Sequence, residues 1–193
     1  MLENLKKYNI ILASQSPRRK ELLKGLDIPF TVMTIPDLDE SYPKELQAEA
    51  IPMYLAEKKS QAYNTLLNDN TLLITADTIV WLNNKELGKP KNLTEAKEML
   101  SFLSNKEHEV ITGVCIMTTK KKKSFYAVSK VKFASLTEAE IAYYLTNYNP
   151  LDKAGSYGVQ EWIGYTAVEH MEGSYFNVMG LPIQRLYQEL KSF

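Results

Sequence analysis

The chain is predicted to fold as an α/β protein built on a mixed, twisted central sheet flanked by helices. Three observations predict this class. Short apolar runs alternate with stretches of helical spacing along the 193 residues. Asn83-Asn84 joins Thr78–Leu82 to Lys85–Leu87 as a two-residue hairpin signal. Val110–Thr118 and Phe125–Phe133 form a second strand pair, joined by Lys120-Lys121-Lys122-Lys123. Two hairpins rule out a purely parallel sheet. With 45% hydrophobic residues the chain can bury one sizeable core, so residues 1–193 are expected to form a single domain, in one body or in two lobes.

The elements follow in order. Asn9–Ala13 is the first strand. Pro17–Lys24 is its helix, with Ser16 as N-cap and Pro17 at the first helical position. Gly25 suits a left-handed residue closing that helix, returning Leu26 to the core. Phe30–Ile35 reads as extended and precedes the acidic Asp37-Leu38-Asp39-Glu40. Pro52 opens a long helix to about Leu67, with Leu55, Ala56, Ala62, Tyr63 and Leu66 along one stripe. Leu72–Ile74 suits a buried strand that Thr78–Leu82 continues. Asn92 with Glu95, and Thr137 with Glu140, mark two capped helix starts. A strand is expected near Tyr165–Glu169 and a last helix from Pro182 to about Leu190.

Lys+Arg 23 against Asp+Glu 23 leaves no net charge, which argues against a general nucleic-acid or membrane-surface binder. The single Cys115 excludes an intramolecular disulfide and a cysteine-rich zinc site, and its apolar neighbours predict a core residue. No apolar stretch is long enough to span a bilayer and no signal peptide precedes the first strand, so the expected location is cytoplasmic. Tyr143, Tyr144 and Tyr148 either face the core from a helix or line a homodimer interface.

Four constellations can carry chemistry. Ser14-Gln15-Ser16-Pro17-Arg18-Arg19 places two arginines in the first turn of a helix, where each costs roughly 0.3–1 kcal/mol against the helix dipole. A rule broken there points to function. An anion reverses the cost, because free helix N–H groups and both guanidinium forks then converge on a phosphate or carboxylate. The alternative is an ordinary cap with arginines paired to surface carboxylates. Thr75-Ala76-Asp77-Thr78 ends an apolar strand run, where a carboxylate can hold Mg²⁺ or take a proton from water; the bland reading is an Asp bonded to backbone N–H groups. Lys58, Lys59 and Lys89 are cations able to orient Asp77 or meet a phosphate, or else solvated surface lysines. Asp152-Lys153-Ala154-Gly155-Ser156-Tyr157-Gly158-Val159-Gln160 allows close backbone approach to a ligand, and the Gln160 amide can match the imide edge of uracil or thymine. No Walker A or dinucleotide fingerprint is present. His108 and His170 lack metal-ligand spacing; His108 reads as a surface residue and His170 as a strand-end one.

Together these segments resemble the Maf family of nucleoside triphosphate pyrophosphatases. The likeness runs from Ile11 to Leu190 through Ala13–Arg19, Ala76-Asp77-Thr78, Gly88-Lys89-Pro90, Ile111-Thr112-Gly113, Asp152–Gln160 and Gly180-Leu181-Pro182, in that order. The resemblance implies a Maf/ITPase-like fold of two lobes with a deep cleft. It also implies hydrolysis of a nucleoside triphosphate to the monophosphate and pyrophosphate with a divalent metal, Mg²⁺ or Mn²⁺. The double arginine and the Gln160 segment look like the subgroup acting on dTTP and UTP, with modified pyrimidine nucleotides as further substrates. By motif position Asp77 matches the proton acceptor; Arg18, Thr78 and Gln160 match positions tied to substrate choice. Lys59 and Lys89 match cleft lysines, with Lys58 the competitor of the first. Ser14 and Arg19 belong to the phosphate-binding turn, and Asp39-Glu40 matches an acidic pair binding metal together with Asp77. The contrasting expectation is a nucleotide-binding regulator of cell division or septum formation that acts through a protein partner.

Overall fold

A computed structural model describes residues 2–193. Its strands are β1 (Asn9–Leu12), β2 (Thr31–Val32), β3 (Thr71–Leu82), β4 (Lys85–Leu87), β5 (Glu107–Met117), β6 (Lys122–Phe133) and β7 (Val168–Glu172). Its helices are α1 (Pro17–Lys24), α2 (Ala50–Gln61), α3 (Leu93–Leu103), α4 (Glu138–Asn147), α5 (Trp162–Ala167), α6 (Tyr175–Val178) and α7 (Ile183–Lys191). The strands form a seven-stranded sheet in the order β2-β1-β3-β5-β6-β7, with β4 paired to β3. β1 runs parallel to β2 and β3, whereas β4 on β3 and β7 on β6 are antiparallel, so the sheet is mixed as expected. The chain divides into two compact units: Met1–Asp77, Thr112–Ala127 and Gly180–Phe193 in the first, Thr78–Ile111 and Val128–Met179 in the second.

In the first unit Ile11, Ala13, Ala56, Tyr63, Leu73, Cys115 and Met117 form one buried cluster. Cys115 is the core residue its neighbours announced. The Tyr63 hydroxyl donates to the Met33 carbonyl and accepts from the Ile35 N–H, both at 3.0 Å. The Met33 N–H still donates to the Leu12 carbonyl of β1 at 3.2 Å, but the clamp takes the Met33 carbonyl and the Ile35 N–H, so the extended run at 30–35 yields only the two-residue β2. The long helix is shorter than its stripe suggested. α2 starts at Ala50, with Pro52 inside its first turn where the missing N–H costs nothing, and stops at Gln61. A separate 3-10 turn, Asn64–Leu66, carries the chain on to β3. Gly25 is right-handed, with φ −64°, and the left-handed residue after α1 is Asp27, φ 53°.

In the second unit α3, α4 and α5 bury Leu100, Leu103, Ile141, Tyr144 and Ile163 against Val110, Val131 and Phe133. Both predicted caps form: Asn92 accepts from the Glu95 N–H, and Thr137 with Glu140 makes a reciprocal capping box. The strand expected near Tyr165–Glu169 is instead a helix followed by β7. Ile163 and Ala167, one turn apart, are both buried, and Gly164 lets that helix settle against Val159, whose carbonyl oxygen would lie 1.8 Å from any Cβ there. Of the three tyrosines on or just after α4, Tyr144 is buried, Tyr148 stacks on it and Tyr143 is exposed beside Trp162. His108 is 1% exposed, not a surface residue; it shares a strand face with Val110 in the alternation Glu107-His108-Glu109-Val110. His170 lies within β7, exposed. Among the described residues no helix is long and apolar enough to cross a membrane.

Candidate active site

The turn from β1 into α1 is ordered by its serines. Ser16 N–H donates to Ser14 Oγ at 3.2 Å, and Ser16 Oγ caps α1 by accepting the Arg19 N–H. Arg18 and Arg19 then diverge. Arg19 turns inward and spends its fork on backbone: Nε donates to the Gly180 carbonyl at 2.7 Å and a terminal nitrogen to the Ala76 carbonyl at 2.8 Å. Burial draws its guanidinium below the ordinary arginine range, and the nearby carboxylates of Asp77 and Glu40 oppose that. The cation that offends the helix dipole is therefore compensated within the first unit. Arg18 is half-buried on the same turn.

Asp77 stands inside β3, not at a strand end. The edge of β3 nonetheless opens there: β1 pairs it only as far as Ile74, and β4 pairs it only from Val80. In that interval Arg19 takes the Ala76 carbonyl and Asp77 meets Lys59. Asp77 is 9% exposed, and its Oδ1 lies 2.5 Å from Lys59 Nζ. The same ammonium reaches Glu40 Oε1 at 2.9 Å. Lys58 turns the other way, to Asp39 Oδ2 at 2.7 Å and the Ser41 carbonyl. The choice between the two lysines left open by the sequence is thus resolved by the helix: adjacent residues on α2 point some 100° apart, and Lys59 is the one facing Asp77. Lys58 and the Ser41 N–H and hydroxyl hold the Asp39 carboxyl well below its usual range.

A divalent cation is implied by the family likeness, and the carboxylates can be tested against it. Asp77 and Glu40 already converge on one positive centre, the Lys59 ammonium. Asp39 joins Lys58 instead. Among the described residues no group of three or more His, Cys, Asp or Glu gathers as a metal cage. Two carboxylates suit Mg²⁺, which keeps waters and takes substrate phosphate oxygens for its remaining positions. Asp77 and Glu40 fit that role.

The other predicted residues belong to the second unit. Thr78 follows Asp77 along β3, half-buried. Lys89 is exposed after β4, beside Gly88, whose carbonyl accepts the Gly155 N–H at 3.1 Å. This bond ties the Gly88-Lys89-Pro90 segment to the loop bearing Gln160. Gly155 is required there: its φ is +67°, and a Cβ would stand 2.8 Å from Val80 Cγ2. Gln160 Oε1 is buried with no hydrogen-bond partner among the described residues. A buried acceptor left without a protein donor is costly and can take a donor from a bound molecule. In the lysine run at 120–123, Lys122 pairs with Glu57 and Lys123 with Glu189 as β6 begins.

The family model described as Maf-like protein matches residues 9–193. This chain belongs to the Maf-like family. A Bacteroides fragilis protein named dTTP/UTP pyrophosphatase is 60% identical over 191 residues, 99% of each chain. One of the same name from Parabacteroides distasonis is 58% identical over 193 residues, the whole of both. Another, from Phocaeicola vulgatus, is 58% identical over 99% of each. Among solved structures, the Staphylococcus aureus Ham1 protein matches 65% of this chain and 72% of its own at 18% identity, with a TM-score of 0.46.

The surroundings of Gln160 were only partly legible in the sequence: Lys153 stands in the Asp152–Gln160 segment and Tyr144 read as a core or interface residue, whereas Glu161 carried no signal. Glu161, Tyr144 and Lys153 form a buried network under the Gln160 loop, and His108 supports Tyr157 in the same loop. His108, read as a surface residue, is turned inward by the alternation of β5.

Proposed function

We propose that this chain hydrolyses dTTP and UTP to the nucleoside monophosphate and pyrophosphate. The observation that carries the reading is the contact of Asp77 with Lys59, which also holds Glu40, at a break in the pairing of β3. A carboxylate held by an ammonium is fixed in direction, as orienting a water and accepting its proton requires, a role typically worth ~10²–10⁴-fold. Relatives at 58–60% identity named dTTP/UTP pyrophosphatase support the substrate class.

In this reading water attacks the α-phosphorus and pyrophosphate leaves. Asp77 orients the water and takes its proton, and Lys59 keeps Asp77 aimed. Arg18 and Lys89 stabilise negative charge on the phosphate oxygens. Ser14 and Arg19 shape that turn without leaving their backbone partners. Asp77 and Glu40 would hold Mg²⁺ or Mn²⁺, which when bound neutralises phosphate charge as a Lewis acid. Thr78 and Gln160 set the choice of substrate, Gln160 by offering its unpaired oxygen to the imide N–H of the base.

The test is a panel of canonical and modified triphosphates incubated with Mg²⁺ or Mn²⁺, with monophosphate and pyrophosphate quantified. Release of pyrophosphate from dTTP and UTP, lost by at least 10²-fold in a folded Asp77→Asn variant, is the expected result. Orthophosphate as product, or an Asp77→Asn enzyme with most of its turnover, overturns the mechanism. Tight triphosphate binding without any release would support the regulator instead.

A further inference from the structure

Building on the reading that Gln160 selects the base, we propose that Tyr144 and Glu161 are specificity-positioning residues that hold Gln160 with its amide oxygen toward the pyrimidine imide. Gln160 lies inside a closed turn, where the Glu161 N–H donates to the Gly158 carbonyl at 2.9 Å. Both ends of the turn are anchored on one buried polar network. At one end the Gly158 N–H donates to Tyr144 Oη at 3.1 Å. At the other end the Glu161 carboxylate accepts the Tyr144 hydroxyl through Oε2, and its Oε1 meets Lys153 Nζ at 3.1 Å. Lys153, with a side chain only 7% exposed, also meets Asp152 Oδ1 at 2.8 Å and the Asn149 carbonyl.

Gly158 lies directly against this network. A Cβ there would stand 2.8 Å from Glu161 Oε2 and 3.1 Å from Lys153 Cε. The backbone before Gln160 therefore rests on the same carboxylate that begins the backbone after it. In this turn Gln160 Oε1 is buried and faces no donor among the described residues. An amide fixed in that sense accepts from the N3–H of uracil or thymine and rejects cytosine, whose N3 is an acceptor. If the turn loosens, the amide can rotate by 180° and satisfy cytosine as well. Tyr144 and Glu161 thus act through Gln160.

The test is a double-mutant cycle read as the ratio of kcat/KM for UTP over CTP in wild type, Tyr144→Phe, Gln160→Ala and the double variant, with thermal melting to check folding. The wild type should prefer UTP. Tyr144→Phe should lower the preference roughly tenfold, the scale of one hydrogen bond to a charged group. Adding Tyr144→Phe to Gln160→Ala should change the ratio by less than about twofold, since the group acted upon is gone. Glu161→Gln keeps the shape but not the charge, should lower the preference likewise, and carries the test if Tyr144→Phe does not fold. An unchanged ratio in a folded Tyr144→Phe variant, or effects that multiply in the double variant, overturns the positioning role and leaves the base-reading role of Gln160 standing. A wild type without preference for UTP overturns both.

Discussion

Replacing His108 by Gln should remove a measurable part of this protein's sensitivity to acid. His108 is 1% exposed in β5, its Nε2 lies 2.7 Å from the Tyr157 hydroxyl, and its Nδ1 is buried without a partner. Its ring packs edge-on against Phe133 and Tyr157 at 5.0 and 5.5 Å. Burial disfavours the imidazolium, so the pKa is pushed from 6.5 down to about 4. The unfolded chain then binds a proton that the folded chain refuses. Stability from this site is complete above about pH 6.5 and declines as pH falls from there to about 4. At ~1.4 kcal/mol for each unit between the two values, the full loss is about 3 kcal/mol, of which about 2 kcal/mol falls between pH 7 and pH 5. The assay is urea unfolding at both pH values for wild type and His108→Gln, where Gln keeps a polar atom toward Tyr157 but cannot titrate. Wild type should lose about 2 kcal/mol more than the variant over that interval. Equal losses in the two proteins would refute a neutral buried His108.

Two further predictions concern how the frame holds the candidate site. Arg19→Lys keeps the charge but cannot reach the Gly180 and Ala76 carbonyls together, so about 1–3 kcal/mol of stability should be lost in urea unfolding; unchanged stability with weakened triphosphate binding would make Arg19 a phosphate ligand instead. Gly113→Ala should cost about 1–3 kcal/mol or more, because a Cβ there falls 2.4 Å from the backbone of Pro52 in the helix that carries Lys59. A wild-type melting temperature in Gly113→Ala would show that α2 yields without cost.

Much of the architecture was legible in order along the chain, since it rests on local rules. The α1 start, the Asn83-Asn84 hairpin and the caps at Asn92 and Thr137 appear where turn and cap chemistry put them. Where local rules compete, tertiary contacts decided. Ile163 and Ala167 suit either a strand or a helix, and close packing at Gly164 favours the helix. The extended run before Ile35 kept only β2, with the Tyr63 hydroxyl bonding the Met33 carbonyl and the Ile35 N–H beyond it.

For the candidate site the division is similar. Sequence alone named Asp77, the two arginines, the pair of candidate lysines and Gln160, because each breaks a local expectation or sits in an ordered set of motifs. It left Lys58 and Lys59 equivalent and gave Arg18 and Arg19 a shared electrostatic cost. Only the tertiary structure separated them: Arg19 is committed to two backbone carbonyls, Lys59 to Asp77 and Glu40, and Lys58 to Asp39. The physical reason is range. Caps, turns and periodicity act over a few residues, whereas these partners are brought together across 18 to 161 positions of the chain. Which of two adjacent cations meets a carboxylate depends on helix rotation and strand register, and the folded core sets both.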